Sequence, residues 1–266
     1  MTLPLRVFGA GRPALALHCS LAHGGAFAGL AAALPDWQIT APDLPGHGRA
    51  PEWPLARMAQ SDIHAEATRE ALTILRSMDA PVPVIGHSFG ATVALRLALE
   101  EPDLVERLVL FEPVLFAAAR AAGGPEFPDH LRAHQGFDAA LRAGDMRAAA
   151  TAFQAIWGTG QGFGSLTLAQ QDYIAARIHL IAAQNAVLVE DSAGLLDHGR
   201  LESLGLPVLL VEGALSPPVI AAIQTELARR LPQVARGQIA GAGHMLPITH
   251  SADCAALLRN FLGASA

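Results

Sequence analysis

A single pentapeptide, Gly86-His87-Ser88-Phe89-Gly90, constrains this chain more than any other stretch. It follows the apolar run Pro83-Val84-Ile85 and opens the helix-like stretch Ala91–Leu97. A strand, a sharp turn with Ser at its tip and a helix make the pattern G-x-S-x-G. The turn forces Ser88 into a strained backbone conformation, and a side chain at position 86 or 90 would collide with a neighbouring helix or strand. The hydroxyl is left at a helix N-terminus, where the dipole favours negative charge. Ser88 is therefore the candidate nucleophile.

The elbow needs a sheet to stand on, and the chain supplies one. Short apolar runs alternate with helical patterns, as in a mainly parallel sheet with helices on both faces. Strands are predicted at Leu5–Phe8, Ala14–His18, Gln38–Ala41, Val82–Ile85, Leu108–Phe111, Val208–Val211 and Gly237–Ala240. Helices are predicted at Ala26–Ala33, Ser61–Ser77, Thr92–Glu100, Pro218–Leu231 and Ala252–Leu262. The alternation stops between Pro113 and Arg200, where the pattern is helix-like throughout, and resumes at Pro207. The expected architecture is an α/β core (1–112 and 201–266) with an inserted all-helical cap (113–200) over the ligand crevice.

Composition narrows the chemistry. The 266 residues are 52% apolar, enough for one large α/β domain, and the net charge of −6 gives no basic footprint for nucleic acid. The chain contains no lysine, which excludes a Schiff-base lysine and a P-loop, and disfavours a Ser-Lys dyad. The two cysteines, Cys19 and Cys254, make no disulfide framework, and Cys19 reads as a small buried apolar residue. The start of the chain lacks a signal-peptide pattern, and no apolar run reaches the roughly 18 residues of a membrane span. A soluble, cytoplasmic protein is the default expectation, without membrane or nucleic-acid partners; no feature of the sequence fixes an oligomeric state.

A Ser nucleophile needs a base, usually a histidine steadied by a carboxylate. Of the eleven histidines, His244 stands where a base is expected, in the loop Gly241-Ala242-Gly243-His244-Met245-Leu246-Pro247 after the last strand. The oxyanion of acyl transfer needs two N–H donors. One is Phe89; the best candidate for the other is Ser20, with Leu21 next, in the segment Leu17-His18-Cys19-Ser20-Leu21.

On these residues the chain resembles the α/β-hydrolase fold superfamily over nearly its whole length. The resemblance rests on the His18 strand end, the turn Asp43-Leu44-Pro45-Gly46-His47-Gly48, the elbow at Ser88, the helical cap and the His244 loop. It implies a serine hydrolase of the carboxylesterase type acting on a small ester-like molecule, with no cofactor and no metal. In the turn, Asp43 and His47 are expected to fix the loop rather than react. The chain departs from the family twice. His18-Cys19 replaces the usual His-Gly. The usual acid position, after the strand Val208–Val211, reads Glu212-Gly213-Ala214-Leu215-Ser216, without a carboxylate at 215 or 216.

Three readings of the missing acid stand open. Glu112, at the end of the preceding strand, reaches His244. Glu212 turns inward. Or no carboxylate is present, leaving a Ser-His dyad or a degenerate site. Two further functions follow from the fold: hydrolysis of a C–C bond in a dienoic diketone acid, with Arg177 a possible carboxylate anchor, and a non-catalytic ligand-binding protein. Cap aromatics Phe127, Phe137, Phe153, Trp157, Phe163 and Tyr173 are candidates either for an acyl pocket or for helix packing. His130 and His134, four apart, share a helix face and read as solvated or core residues rather than a metal site.

Overall fold

The computed structural model describes residues 3–57, 62–79 and 81–263. Seven strands form one sheet: β1 (Leu5–Phe8), β2 (Arg12–Leu17), β3 (Trp37–Pro42), β4 (Val82–His87), β5 (Val105–Phe111), β6 (Val208–Gly213) and β7 (Val234–Ile239). Their order is β1-β3-β2-β4-β5-β6-β7. Only β1 is antiparallel to its neighbour; the other pairs are parallel.

Each strand foreseen in the sequence is present, lengthened by a few residues where flanking residues continue the ladder. The helices are α1 (Ala28–Ala32), α2 (Ile63–Arg76), α3 (Phe89–Glu100), α4 (Phe116–Ala122), α5 (Glu126–Arg142), α6 (Met146–Trp157), α7 (Leu168–Arg177), α8 (His179–Ala183), α9 (Asn185–Leu188), α10 (Pro218–Arg230), α11 (Leu246–Thr249) and α12 (Ser251–Gly263). The predicted start of α2, Ser61, lies outside the described residues; Asp62 caps the helix by accepting from the His64 N–H at 2.8 Å. None of the described helices is long and apolar enough to cross a membrane.

The period-2 pleat sorts the strand residues into two layers. Leu108 and Leu110 of β5 join the core under α2, α3, α4 and α10. Val109 and Phe111 face the opposite core, with Phe27, Leu30, Cys254 and Leu258. The central strands are buried on both faces, which is why they read as continuous apolar runs rather than alternating ones.

Between β5 and β6 the chain leaves the sheet and forms α4 to α9. The expectation of helix throughout 113–200 needs correcting at its end: α9 stops at Leu188, and residues 189–207 are turns. Asp191 takes a left-handed conformation (φ 53°), and its carboxylate accepts the N–H groups of Leu195 and Leu196 at 2.8 and 2.9 Å. A side chain that satisfies backbone donors this way competes with helix.

Polar ties pin the helical segment onto the core. The Tyr173 hydroxyl donates to the Ala22 carbonyl at 3.0 Å and accepts from the Gly48 N–H at 2.8 Å. His179 donates from Nε2 to the Trp53 carbonyl at 2.8 Å.

Candidate active site

The elbow is as tight as its glycines imply. Ser88 sits at φ 56° and ψ −117°, between β4 and α3. A Cβ on Gly86 would lie 2.4 Å from the Ala91 Cα, and one on Gly90 would lie 2.2 Å from the Leu17 carbonyl oxygen. Only hydrogen fits at both positions. The Ser88 N–H donates to the Phe111 carbonyl at 2.9 Å, tying the turn to β5.

His244 reaches the elbow from the loop between β7 and α11. Its Nε2 is 2.9 Å from Ser88 Oγ, and its Nδ1 is 2.6 Å from Glu112 Oε2. A carboxylate only accepts, so Nδ1 carries the ring proton and Nε2 is left to accept from the Ser88 hydroxyl. All three side chains are buried. His87, the second residue of the elbow motif, holds the loop from below. Burial, and then its neighbour His244, depress its pKa to about 3, so it is neutral. Its Nε2–H donates to the His244 carbonyl at 2.8 Å.

Among the three readings of the acid, the geometry brings Glu112 to His244. Glu112 follows β5 directly and adopts φ 46°, rare for a residue with a side chain. Its N–H still continues the ladder, donating to the Val211 carbonyl at 2.9 Å. The reversed backbone swings the carboxylate across the end of β6. There Oε1 accepts from the Gly213 N–H at 2.7 Å and from the Ser216 hydroxyl. Glu212 does not reach His244: its Oε1 faces Gln238 at 3.2 Å and Arg236 at 3.7 Å. Leu215 is exposed, and Ser216, one of the two residues at the expected acid position, holds the relocated carboxylate.

The remaining predicted positions fall around the same center. Phe89 is the first residue of α3, and the first-turn N–H groups of a helix lack intrahelical partners. Ser20 and Leu21 line the same cavity as Ser88. The Ser20 hydroxyl donates to Gln184 Oε1 at 2.8 Å, linking its loop to the helical segment. Cys19, in place of the family's glycine, is buried, and burial pushes its thiol up to about 12, so it is no thiolate.

His18 is neutral, its pKa depressed to about 3 by burial and then by His47. It accepts from the Leu44 N–H at 2.9 Å and donates from Nδ1 to the Cys19 carbonyl at 2.7 Å. Asp43 accepts from the N–H groups of Gly24 and Arg49. Burial raises its pKa, but those N–H groups and Arg6 outweigh burial and leave it below its ordinary value. Both fix loops, as does His47, which bonds the Pro45 carbonyl at 2.9 Å.

The cavity above Ser88 and His244 has a volume of about 610 Å³. Of the aromatics singled out in the sequence, Phe137, Phe153, Trp157 and Tyr173 line it; Phe163 packs among the helices of the inserted segment and Phe127 lies beside Arg120. Phe116, His130, His134 and Gln184 line it too, a placement that helix periodicity does not mark. His130 is buried, as its core reading has it, and its ring lies 4.2 Å from that of His134 in the cavity wall. Trp157 packs edge-on against His244 at 4.7 Å and donates from Nε1 to His134 Nε2 at 2.7 Å. Arg177 lies against the Tyr173 ring and bonds the Tyr173 carbonyl; it is not among the residues lining the cavity.

Comparison with known proteins agrees with this architecture. Lipase LipV of Mycobacterium tuberculosis is 41% identical over 115 residues, 42% of this chain and 42% of that protein. A pimeloyl-[acyl-carrier protein] methyl ester esterase of Neisseria meningitidis is 39% identical over 98 residues, 36% of this chain and 33% of that one. The similarity thus spans less than half the length of either relative. An α/β hydrolase structure from Sphaerobacter thermophilus superposes with a TM-score of 0.72 at 21% identity, covering 98% of this chain and 96% of that one. The family model described as alpha/beta hydrolase fold matches residues 13–251, and the chain belongs to that family.

Proposed function

We propose that this chain is a serine hydrolase cleaving a carboxylic ester, lactone or thioester through an acyl-enzyme. The reading is carried by the unbroken run of hydrogen bonds from Ser88 through His244 to Glu112 at the floor of an apolar cavity. The partial similarity to a lipase and a methyl ester esterase supports the same class.

In this reading Ser88 Oγ attacks the substrate carbonyl carbon while its proton passes to His244 Nε2. Glu112 stabilises the imidazolium without taking the proton. The carbonyl oxygen becomes an oxyanion, met by the N–H groups of Phe89 and Ser20 at the positive end of α3. His244 then returns the proton to the leaving alcohol or thiol, and the C–O or C–S bond breaks. Water, deprotonated by His244, attacks the acyl-enzyme, and Ser88 leaves with the proton. Residues 113–200 act as the cap that shapes the acyl site.

Neither alternative gains support from the site. Arg177 is engaged with Tyr173, away from the cavity where a diketone acid would need a cation. A binding protein has no need of a hydroxyl, an imidazole and a buried carboxylate in register. A fluorophosphonate probe tests the reading: it should label wild type at Ser88 and leave Ser88→Ala unlabelled. Wild type that takes no label and cleaves no ester is not a serine hydrolase.

A further inference from the structure

The cavity has a second property that bears on the acyl group, and it rests on the serine-hydrolase reading. Its walls are apolar on most sides, with Val114, Leu131, Phe137, Phe153, Ile174 and Leu188 among them. Among the described residues, no arginine lines it, and the chain has no lysine. Three arginines of the helical segment form ion pairs and do not line the cavity: Arg120 with Glu190, Arg132 with Asp129, and Arg147 with Asp172. The carboxylate in the lining is Asp138, of the same sign as a substrate carboxylate.

Two histidines form part of the polar face of the wall. His130 is 8% exposed and stacks on Phe116 at 4.1 Å. Burial, and then the adjacent His134, depress its pKa to about 3. Among the described residues it makes ring contacts but no hydrogen bond. His134 is likewise held below its ordinary pKa, by burial, with Asp138 opposing. Its Nε2 accepts the Trp157 N–H, so a neutral ring carries its proton on Nδ1. A negative charge entering such a wall meets no arginine or lysine, and an unpaired buried ion costs several kcal/mol.

We propose that the cavity selects an acyl group of medium length that carries no negative charge, and that His130 meets a neutral oxygen carried by that group some way from the scissile carbonyl. The volume of about 610 Å³ lies well inside the roughly 300–1,000 Å³ range of small-molecule pockets. The walls reward methylene and ring surface. The free imidazole offers one donor and one acceptor, which suits an ester, keto or hydroxyl oxygen.

Three p-nitrophenyl esters separate the possibilities: the hexanoate, the mono-ester of adipic acid with its free terminal carboxylate, and the mixed p-nitrophenyl methyl diester of adipic acid. At pH 7.5, kcat/KM for the carboxylate ester is expected to fall about 100-fold below that of the methyl diester, as an unpaired charge in this wall requires. His130→Leu is expected to lower the diester-to-hexanoate ratio of kcat/KM about five-fold, and His130→Gln, which keeps a donor and an acceptor, to restore most of it. A carboxylate ester cleaved within three-fold of the diester overturns the selection against an anionic acyl group. A ratio unmoved in His130→Leu, with hexanoate still cleaved, overturns the role of His130. Both results leave the serine-hydrolase reading standing. That reading falls only if none of the three esters is cleaved and the fluorophosphonate probe leaves Ser88 unlabelled.

Discussion

Glu112 and His244 are 132 residues apart in the chain, yet Oε2 of one lies 2.6 Å from Nδ1 of the other. The contact depends on the left-handed backbone at Glu112, which turns the side chain out of the strand direction and across the end of β6. If this carboxylate steadies the base, Glu112→Gln should lower kcat for p-nitrophenyl acetate by a large factor. In serine proteases the equivalent acid-to-amide change costs about 10⁴-fold. Glu212→Gln should stay within two-fold of wild type, because that carboxylate faces Gln238 and Arg236. Full activity in Glu112→Gln would refute the assignment.

Ser216 acts at one remove. Its hydroxyl and the Gly213 N–H both hold Glu112 Oε1, leaving Oε2 directed at the imidazole. A hydrogen bond to a charged group contributes about 1.5–3 kcal/mol, so Ser216→Ala should lower kcat by about tenfold or somewhat more, with KM little changed. Because the effect runs through Glu112, Ser216→Ala should add little in a Glu112→Gln background. Additive losses in the double variant would show that Ser216 acts by another route.

Much of this arrangement was legible in the sequence, for physical reasons. Strands buried on both faces leave continuous runs such as Val208–Val211, and the elbow glycines are demanded by backbone contacts under 2.5 Å. Ser88 and His244 follow from such local patterns. Glu112 was one of three readings, because nothing local marks a glutamate that takes φ 46°. Its place is set by the register of Phe111 against Val211, a tertiary fact. The one available signal was the hydroxyl at Ser216, a polar group standing where a charge was missing. The spacing of His130 and His134 set them on one helix face, but neither they nor Gln184 were marked as cavity lining: helix periodicity marks a face, not the cavity that several helices together enclose.

Packing at the elbow gives a stability test with its own control. Gly90→Ala sets a methyl group 2.2 Å from the Leu17 carbonyl oxygen, a backbone atom that cannot swing aside. Displacing β2 or α3 should cost about 3 kcal/mol or more, read as a lower urea midpoint. Gly136, inside α5, has nothing within 4 Å of its would-be Cβ. Gly136→Ala should instead stabilise by about 0.5–1 kcal/mol through helix propensity and a less flexible unfolded chain. Equal effects from the two substitutions would contradict the close approach at the elbow.

Buried histidines make the fold acid-sensitive, and the sign follows from their direction of shift. His18, His64, His87 and His130 are each pushed from 6.5 to about 3, and His47 to about 4, all chiefly by burial. These rings stay neutral in the folded protein and become charged near pH 6.5 once the chain unfolds. Between about pH 6.5 and 3 the unfolded chain therefore binds more protons, so stability is full above that window and falls as pH drops through it. The urea midpoint should be nearly level from pH 8 to 7 and decline steeply from 6.5 to 4.5. His64 offers the cleanest single test. It packs edge-on against Phe89 at 5.6 Å, bonds Thr92 Oγ1 at 3.1 Å, and is depressed by burial and then by Arg96. His64→Leu removes one of the five groups without touching Ser88, His244 or Glu112. Its midpoint should fall less steeply between pH 6.5 and 4.5 than that of wild type; an unchanged slope would mean that His64 is not held neutral by the fold.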